Sequence, residues 1–146
     1  MAYEYHYKRL VHWQDTDLAG IIHYANYFRY MDEAETEFYR SVGLHKLTDS
    51  KQEGVMCPRV SATCDFIKPV TFGDELDVHT WISKKGRSSI VFACSFKLAE
   101  EEVARGSVTA VFVSKGPDGK MKPVAIPERF DRLFEVAPFA GEANAG

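Results

Sequence analysis

The run Tyr24-Ala25-Asn26-Tyr27-Phe28-Arg29-Tyr30-Met31-Asp32-Glu33-Ala34-Glu35-Thr36-Glu37-Phe38-Tyr39-Arg40-Ser41-Val42-Gly43 differs in period from everything around it. Tyr24, Tyr27, Phe28, Met31, Ala34, Phe38 and Val42 recur at three- and four-residue steps, and Asp32, Glu33, Glu35, Glu37 and Arg40 fill other faces. That spacing predicts an amphipathic helix of about five turns. Gly43 stands where a left-handed C-cap would end it, and Arg40 suits the negative end of its dipole. At the start Asn26 is the best capping residue by type, although the apolar pattern already includes Tyr24.

The other long patterned segments alternate with a period of two. Residues 3–12 alternate large aromatic with polar side chains, as a strand does. After the helix, Val60, Ala62, Cys64 and Phe66 alternate with Ser61, Thr63, Asp65 and Ile67, and the run closes at Pro69 and Thr71-Phe72-Gly73-Asp74. Leu76, Val78, Thr80 and Ile82 alternate with Asp77, His79 and Trp81 before the basic turn Lys84-Lys85-Gly86-Arg87. Ile90, Phe92, Cys94, Phe96 and Leu98 form the cleanest stripe, and a fifth run spans Val103 to Ser114. Pro127 then opens a short helical pattern through Phe130, Leu133 and Phe134. The order strand, loop, long helix, four strands, short helix makes the class α+β. Strands joined by short turns are expected to pair antiparallel, with the helix laid on one face of the sheet. Residues 1–136 read as one domain, and 137–146, small and polar, as a disordered C-terminal tail.

A chain of 146 residues with 45% hydrophobic content has enough material for one real core. Its 18 Lys+Arg against 21 Asp+Glu give a net charge of −3, so no basic field draws in nucleic acid or an anionic membrane. No apolar run approaches the roughly 18 residues of a membrane span. The opening Met-Ala-Tyr-Glu-Tyr-His lacks the layout of a signal peptide, so the expected location is cytoplasmic. Cys57, Cys64 and Cys94 are odd in number and lack CxxC spacing, which supports neither a disulfide framework nor a structural zinc site. A domain this short has little room for a deep private pocket, so an active site is expected to need a neighbouring chain.

The loop His12-Trp13-Gln14-Asp15-Thr16-Asp17-Leu18-Ala19-Gly20-Ile21-Ile22-His23 places two acids just before the helix start. Backbone N–H groups in a first helical turn have no internal acceptors and carry about half a positive charge. A carbonyl held there would be polarised, and a nearby carboxylate could attack its carbon or activate a water. Acyl transfer to water is the chemistry this combination suggests. Two other readings stay open: the acids serve only as caps or dipole partners, or His12, Asp15, Asp17 and His23 hold a metal, although their spacing matches no ligand signature. Serine or cysteine nucleophiles find little support, since no Gly-x-Ser-x-Gly occurs.

The run Gln14 to Ile22, continued by His23-Tyr24-Ala25-Asn26-Tyr27, resembles the signature of the 4-hydroxybenzoyl-CoA thioesterase family of hotdog-fold acyl-CoA thioesterases. Asp65-Phe66-Ile67-Lys68-Pro69-Val70, Gly73-Asp74 and Ala104 to Val113 resemble later strands of the same family, so the likeness covers nearly the whole chain. The resemblance implies a hotdog fold, a curved antiparallel sheet of about five strands wrapped round one central helix. It implies hydrolysis of acyl-CoA to free acid and CoA, with no cofactor and no metal. Asp17 matches the family's catalytic carboxylate, and the Tyr24 backbone N–H its carbonyl donor. Asp15 and Gly20 would shape the loop, His23 would line the acyl pocket, and Asn26 would cap the helix or orient water. Lys84, Lys85, Arg87 and Ser88, with Arg59 and Lys68 as weaker candidates, would meet the CoA phosphates. Relatives of this type form dimers and often tetramers with sites between protomers. The alternatives are a non-catalytic acyl-CoA binding protein and a hotdog hydratase or dehydratase, which would need a paired Asp and His; His12 and His23 lie near the loop.

Overall fold

The computed structural model describes residues 1–44 and 54–143. The helix, α1, spans Ala25–Ser41. Strands β1 (Glu4–Leu10), β3 (Arg59–Phe66), β4 (Glu75–Lys85), β5 (Ser89–Leu98) and β6 (Glu101–Val111) form a five-stranded sheet in the order β1-β4-β5-β6-β3. Every neighbouring pair is antiparallel. Three short strands, β2 (Val55–Met56), β7 (Val113–Lys115) and β8 (Met121–Pro123), make a separate small sheet. Among the described residues no helix is long and apolar enough to cross a membrane.

The two periodicities meet in the core. Tyr27, Tyr30, Met31, Ala34 and Phe38 of α1 are buried against alternate residues of the sheet: Leu76, Val78 and Ile82 of β4, and Ile90, Phe92, Cys94 and Phe96 of β5. Fully burying one such side chain contributes about 1.5–3 kcal/mol, so this stripe fixes the helix on that face. The Met31 side chain of α1 reaches the sheet at Gly106 of β6, where a Cβ would stand 2.4 Å from Met31 Cε and 2.5 Å from the Thr63 carbonyl oxygen. The methionine can move; the backbone of β3 cannot without breaking its ladder. Gly106→Ala is therefore expected to cost about 1–3 kcal/mol, read as a lower urea midpoint at unchanged slope.

Two expectations change. Successive strands β3 and β4 do not pair: β3 pairs β6 instead, and residues 67–74 carry the chain across to β4. That crossover bonds the loop preceding α1, with Ile22 N–H donating to Val70 O at 2.9 Å and Ile21 bridging Thr71. The residues read as a tail from 137 are also ordered at their start. Ala137 and Ala140 are buried beside Trp81 on the outer face of the sheet, and the Phe139 ring meets Trp81 at 5.7 Å and Tyr3 at 6.0 Å. One aromatic anchor among small residues is enough to hold the segment; residues 144–146 lie outside the described residues.

Candidate active site

Asp15 anchors the loop. It is 1% exposed. Its Oδ2 accepts from the His12 N–H at 2.9 Å and the Tyr30 hydroxyl at 2.7 Å, and lies 3.2 Å from the Arg9 guanidinium. Burial pushes the carboxyl upward, but these three donors outweigh it and hold the group below the ordinary carboxylate range. Arg9 also pairs with Glu33 at 2.9 Å and lies over the Tyr30 ring, which ties β1 to α1. The Asp15 carbonyl accepts from the His23 N–H at 2.9 Å and from Asn26 Nδ2 at 2.8 Å.

From this anchor the chain makes a tight turn. Thr16 bridges Ile22, the Asp17 N–H donates to Ile21 O at 2.8 Å, and the Gly20 N–H donates to Asp17 O at 3.0 Å. Gly20 has φ +80° with open space around it, so backbone conformation rather than crowding calls for glycine. Asp17 Oδ1 accepts the Ala19 N–H at 2.8 Å, while Oδ2 has no partner among the described residues. The turn therefore leaves one oxygen of this carboxylate without a partner among the described residues.

Asp17 and Tyr24 line one cleft of about 290 Å3, walled by Ile21, Tyr27, Phe66, Ile67, Lys68 and Pro69. The first turn of α1 opens on it. The Ala25 N–H donates to His23 Nδ1 at 3.2 Å and the Asn26 N–H to His23 O at 2.9 Å. The Tyr24 N–H has no acceptor among the described residues. The N-cap residue of a 17-residue helix, whose N–H has no acceptor among the described residues, thus lies in the wall of the cleft that holds Asp17, at the positive end of the helix dipole.

Other groups are poorly suited to react. Burial pushes the Tyr27 hydroxyl up to about 12 and the Cys64 and Cys94 thiols to about 12, and it raises Cys57 as well, so none supplies an anionic nucleophile near neutral pH. His12, Asp15, Asp17 and His23 do not converge on a common ligand position.

Several expected site residues sit elsewhere or are occupied. Asn26 does not cap the helix: the N-cap position is Tyr24, no side chain caps it, and the Asn26 amide is committed to Asp15 O. His23 is exposed, stacks on Tyr24 at 4.6 Å and accepts from Ala25. Lys84, Lys85, Arg87 and Ser88 lie at the β4–β5 turn, which packs near the C-terminal half of α1. A 17-residue helix is about 25 Å long, so the chain does not bring this turn to its own Asp17. Lys85 is spoken for, its ammonium 2.6 Å from Asp131 Oδ1 and 2.9 Å from Phe134 O. Arg59 pairs with the buried Glu35, whereas Lys68 lines the cleft and pairs with Glu101. The part of the site that motif and spacing did not reveal is the Arg9–Tyr30–Glu33 support. Its one signal is a charged residue on the inward-facing side of β1, in step with Tyr5 and Tyr7.

Residues 11–134 match the family model of the thioesterase-like superfamily. A protein of Aquifex aeolicus is 33% identical over 124 residues, covering 84% of this chain and 91% of the relative. The acyl-CoA thioesterase YbgC of Helicobacter pylori is 28% identical over 132 residues, covering 86% of this chain and 96% of its own length. The crystal structure of 4-hydroxybenzoyl-CoA thioesterase from a Pseudomonas species superposes with TM-score 0.79 at 24% identity, covering 90% and 99% of the two chains, which shows the same fold. The family match spans most of the domain, including the Asp15–Asp17 loop, the start of α1 and the β3–β4 crossover, and the chain belongs to the thioesterase-like superfamily.

Proposed function

We propose that the chain hydrolyses acyl-CoA thioesters at the Asp17 cleft. The observation that carries this reading is one cleft lined by both Asp17, whose Oδ2 has no partner among the described residues, and Tyr24, the N-cap of a long helix, whose N–H has no acceptor among them. The thioester carbonyl oxygen would accept from the Tyr24 N–H, and the negative charge that develops there is worth about 10²–10³ in rate for one such donor. Asp17 then acts in one of two ways. As general base it takes a proton from the water that adds to the carbonyl carbon; as nucleophile it forms a mixed anhydride that water cleaves. In both, the C–S bond breaks, the CoA thiolate leaves and takes up a proton, and the acid is released. A thioester is already activated, so neither route calls for a cofactor or metal. The apolar walls at Ile21, Tyr27, Phe66 and Ile67 suit an acyl chain, and the name of the Helicobacter relative, an acyl-CoA thioesterase, points the same way.

Strand β3 supports an oligomeric site. It is one edge of the sheet, exposed along nearly its whole length, with Phe66 in the wall of the cleft. An unpaired edge is a template for another strand. Two copies joined antiparallel through β3 would put the partner's β4–β5 turn at the same end of the assembly as this chain's Asp17. A dimer is the minimum unit and a tetramer the favoured assembly. Lys84 and Arg87 would then serve the neighbour's CoA phosphates. The double substitution Lys84→Ala, Arg87→Ala is expected to raise KM several-fold for CoA esters and leave esters of short thiols unchanged; an equal effect on both would remove the phosphate role.

A substrate panel tests the reaction itself. Short, long and aromatic acyl-CoAs should release free thiol, and the best of them identifies the acyl group. Hydration of crotonyl-CoA without thiol release would instead favour a hydratase.

A further inference from the structure

We infer that the outer face of the sheet, on the side away from α1, carries a site for a Zn2+-like divalent cation built from Glu4, His6 and His79. The register of β1 against β4 makes His6 and His79 direct cross-strand partners, and Glu4 lies two residues along the same face. One ligand atom from each of the three lies within 4.8 Å of the others. Two imidazoles and one carboxylate are the donor set of a borderline cation such as Zn2+, with a fourth position left to water.

The surroundings are those of a ligand set rather than of solvated surface. Asp77, facing the same side from β4, accepts from His6 Nδ1 at 2.9 Å, which would leave Nε2 as the free donor atom, the usual way an outer carboxylate orients a metal-binding histidine. The other Asp77 oxygen, Oδ1, is buried and has no partner among the described residues. His79 Nε2 and Glu4 Oε2 already stand 2.7 Å apart. The His79 side chain is only 15% exposed, walled by Trp81 at 4.8 Å and Phe139 at 5.9 Å. Together these make a sheltered floor beneath an accessible His6.

One movement is required. The two imidazoles stack at 4.0 Å with planes 3° apart, so their in-plane lone pairs cannot meet at one point. His6, with its side chain 52% exposed, can tilt out of the stack. Ligand atoms around a tetrahedral zinc sit about 3.3 Å apart, a contraction that this tilt supplies. Bound there, the ion would clip the edge strand β1, which carries Arg9 to the catalytic loop, onto β4.

The test uses the full chain, freed of metal with a chelator and titrated with Zn2+ by calorimetry and with Co2+ by visible absorption. The expected result is one ion per chain, a tetrahedral Co2+ spectrum, and a melting temperature that rises with added Zn2+. His6→Gln and His79→Gln should each weaken binding at least ten-fold, and Asp77→Asn about ten-fold or more. His12→Gln, outside the cluster, should change nothing. His6→Gln alters an exposed side chain, and a melting temperature equal to that of metal-free wild type shows that it folds. Absence of saturable binding, or binding that survives His6→Gln and His79→Gln together, would overturn the site.

Discussion

Asp17→Asn is expected to lower kcat on acyl-CoA by about 10³, within the 10²–10⁴ range for removing a positioned proton acceptor, and to leave KM and the fold nearly unchanged. The amide oxygen can still accept the Ala19 N–H that Oδ1 now holds, so the turn keeps its shape. What disappears is the negative charge on the free oxygen, and with it the ability to attack a carbonyl or to take a proton from water. The Tyr24 N–H and the helix dipole are untouched, so the variant should still bind and polarise the substrate. Thiol release under saturating substrate, with circular dichroism as the folding control, reads the effect. Full activity in Asp17→Asn would remove Asp17 from the chemistry.

The second large effect is on stability. Asp15→Ala is expected to cost about 3 kcal/mol, because it leaves the Tyr30 hydroxyl, the His12 N–H and one side of Arg9 without their shared acceptor in a buried setting. Arg9 keeps Glu33, which holds the loss to the lower end of the range for a broken buried pair. Urea denaturation measures it, and activity should fall with it, since the same residue's carbonyl fixes the start of α1 through His23 and Asn26. The pH dependence has a definite sign. Because the folded-state carboxyl titrates below its ordinary value of 3.8, the unfolded chain takes up the proton first as acid is added. The contribution of Asp15 is complete at neutral pH, begins to fall as the pH drops past about 4, and is gone below the folded-state value. Asp15→Asn should flatten that acid limb. An unchanged acid limb would show that the Arg9–Tyr30 network does not hold the ionised carboxylate.

The long helix was legible because a three-and-four spacing sustained from Tyr24 to Val42 fits no strand, and β4 and β5 were legible from strict alternation. The pairing of β3 with β6 was not, since local pattern marks a strand without naming its neighbour, and the eight residues 67–74 are long enough to cross instead of turning back. Strands β2 and β8, two and three residues long, are too short to show a period. In the site, Asp17 and Tyr24 were marked by motif and by their place before the helix, and they do share a cleft. Asn26 was misjudged because residue type favours a cap, while its position beyond Tyr24 puts the side chain within reach of the Asp15 carbonyl. Lys85 was read with the basic turn as a contact for the CoA phosphates, but its ammonium is held by Asp131 and Phe134, more than forty residues away in sequence. Such contacts exist only once the chain has folded.

The claim that a thioester carbonyl sits on the first turn of α1 opposite Asp17 can be read directly from the infrared spectrum of an acyl-CoA bound to Asp17→Asn, with the carbonyl isotopically labelled. A carbonyl that accepts from the Tyr24 N–H in the field of the helix should absorb at clearly lower frequency than in free acyl-CoA. A bound carbonyl with its solution frequency would contradict the account.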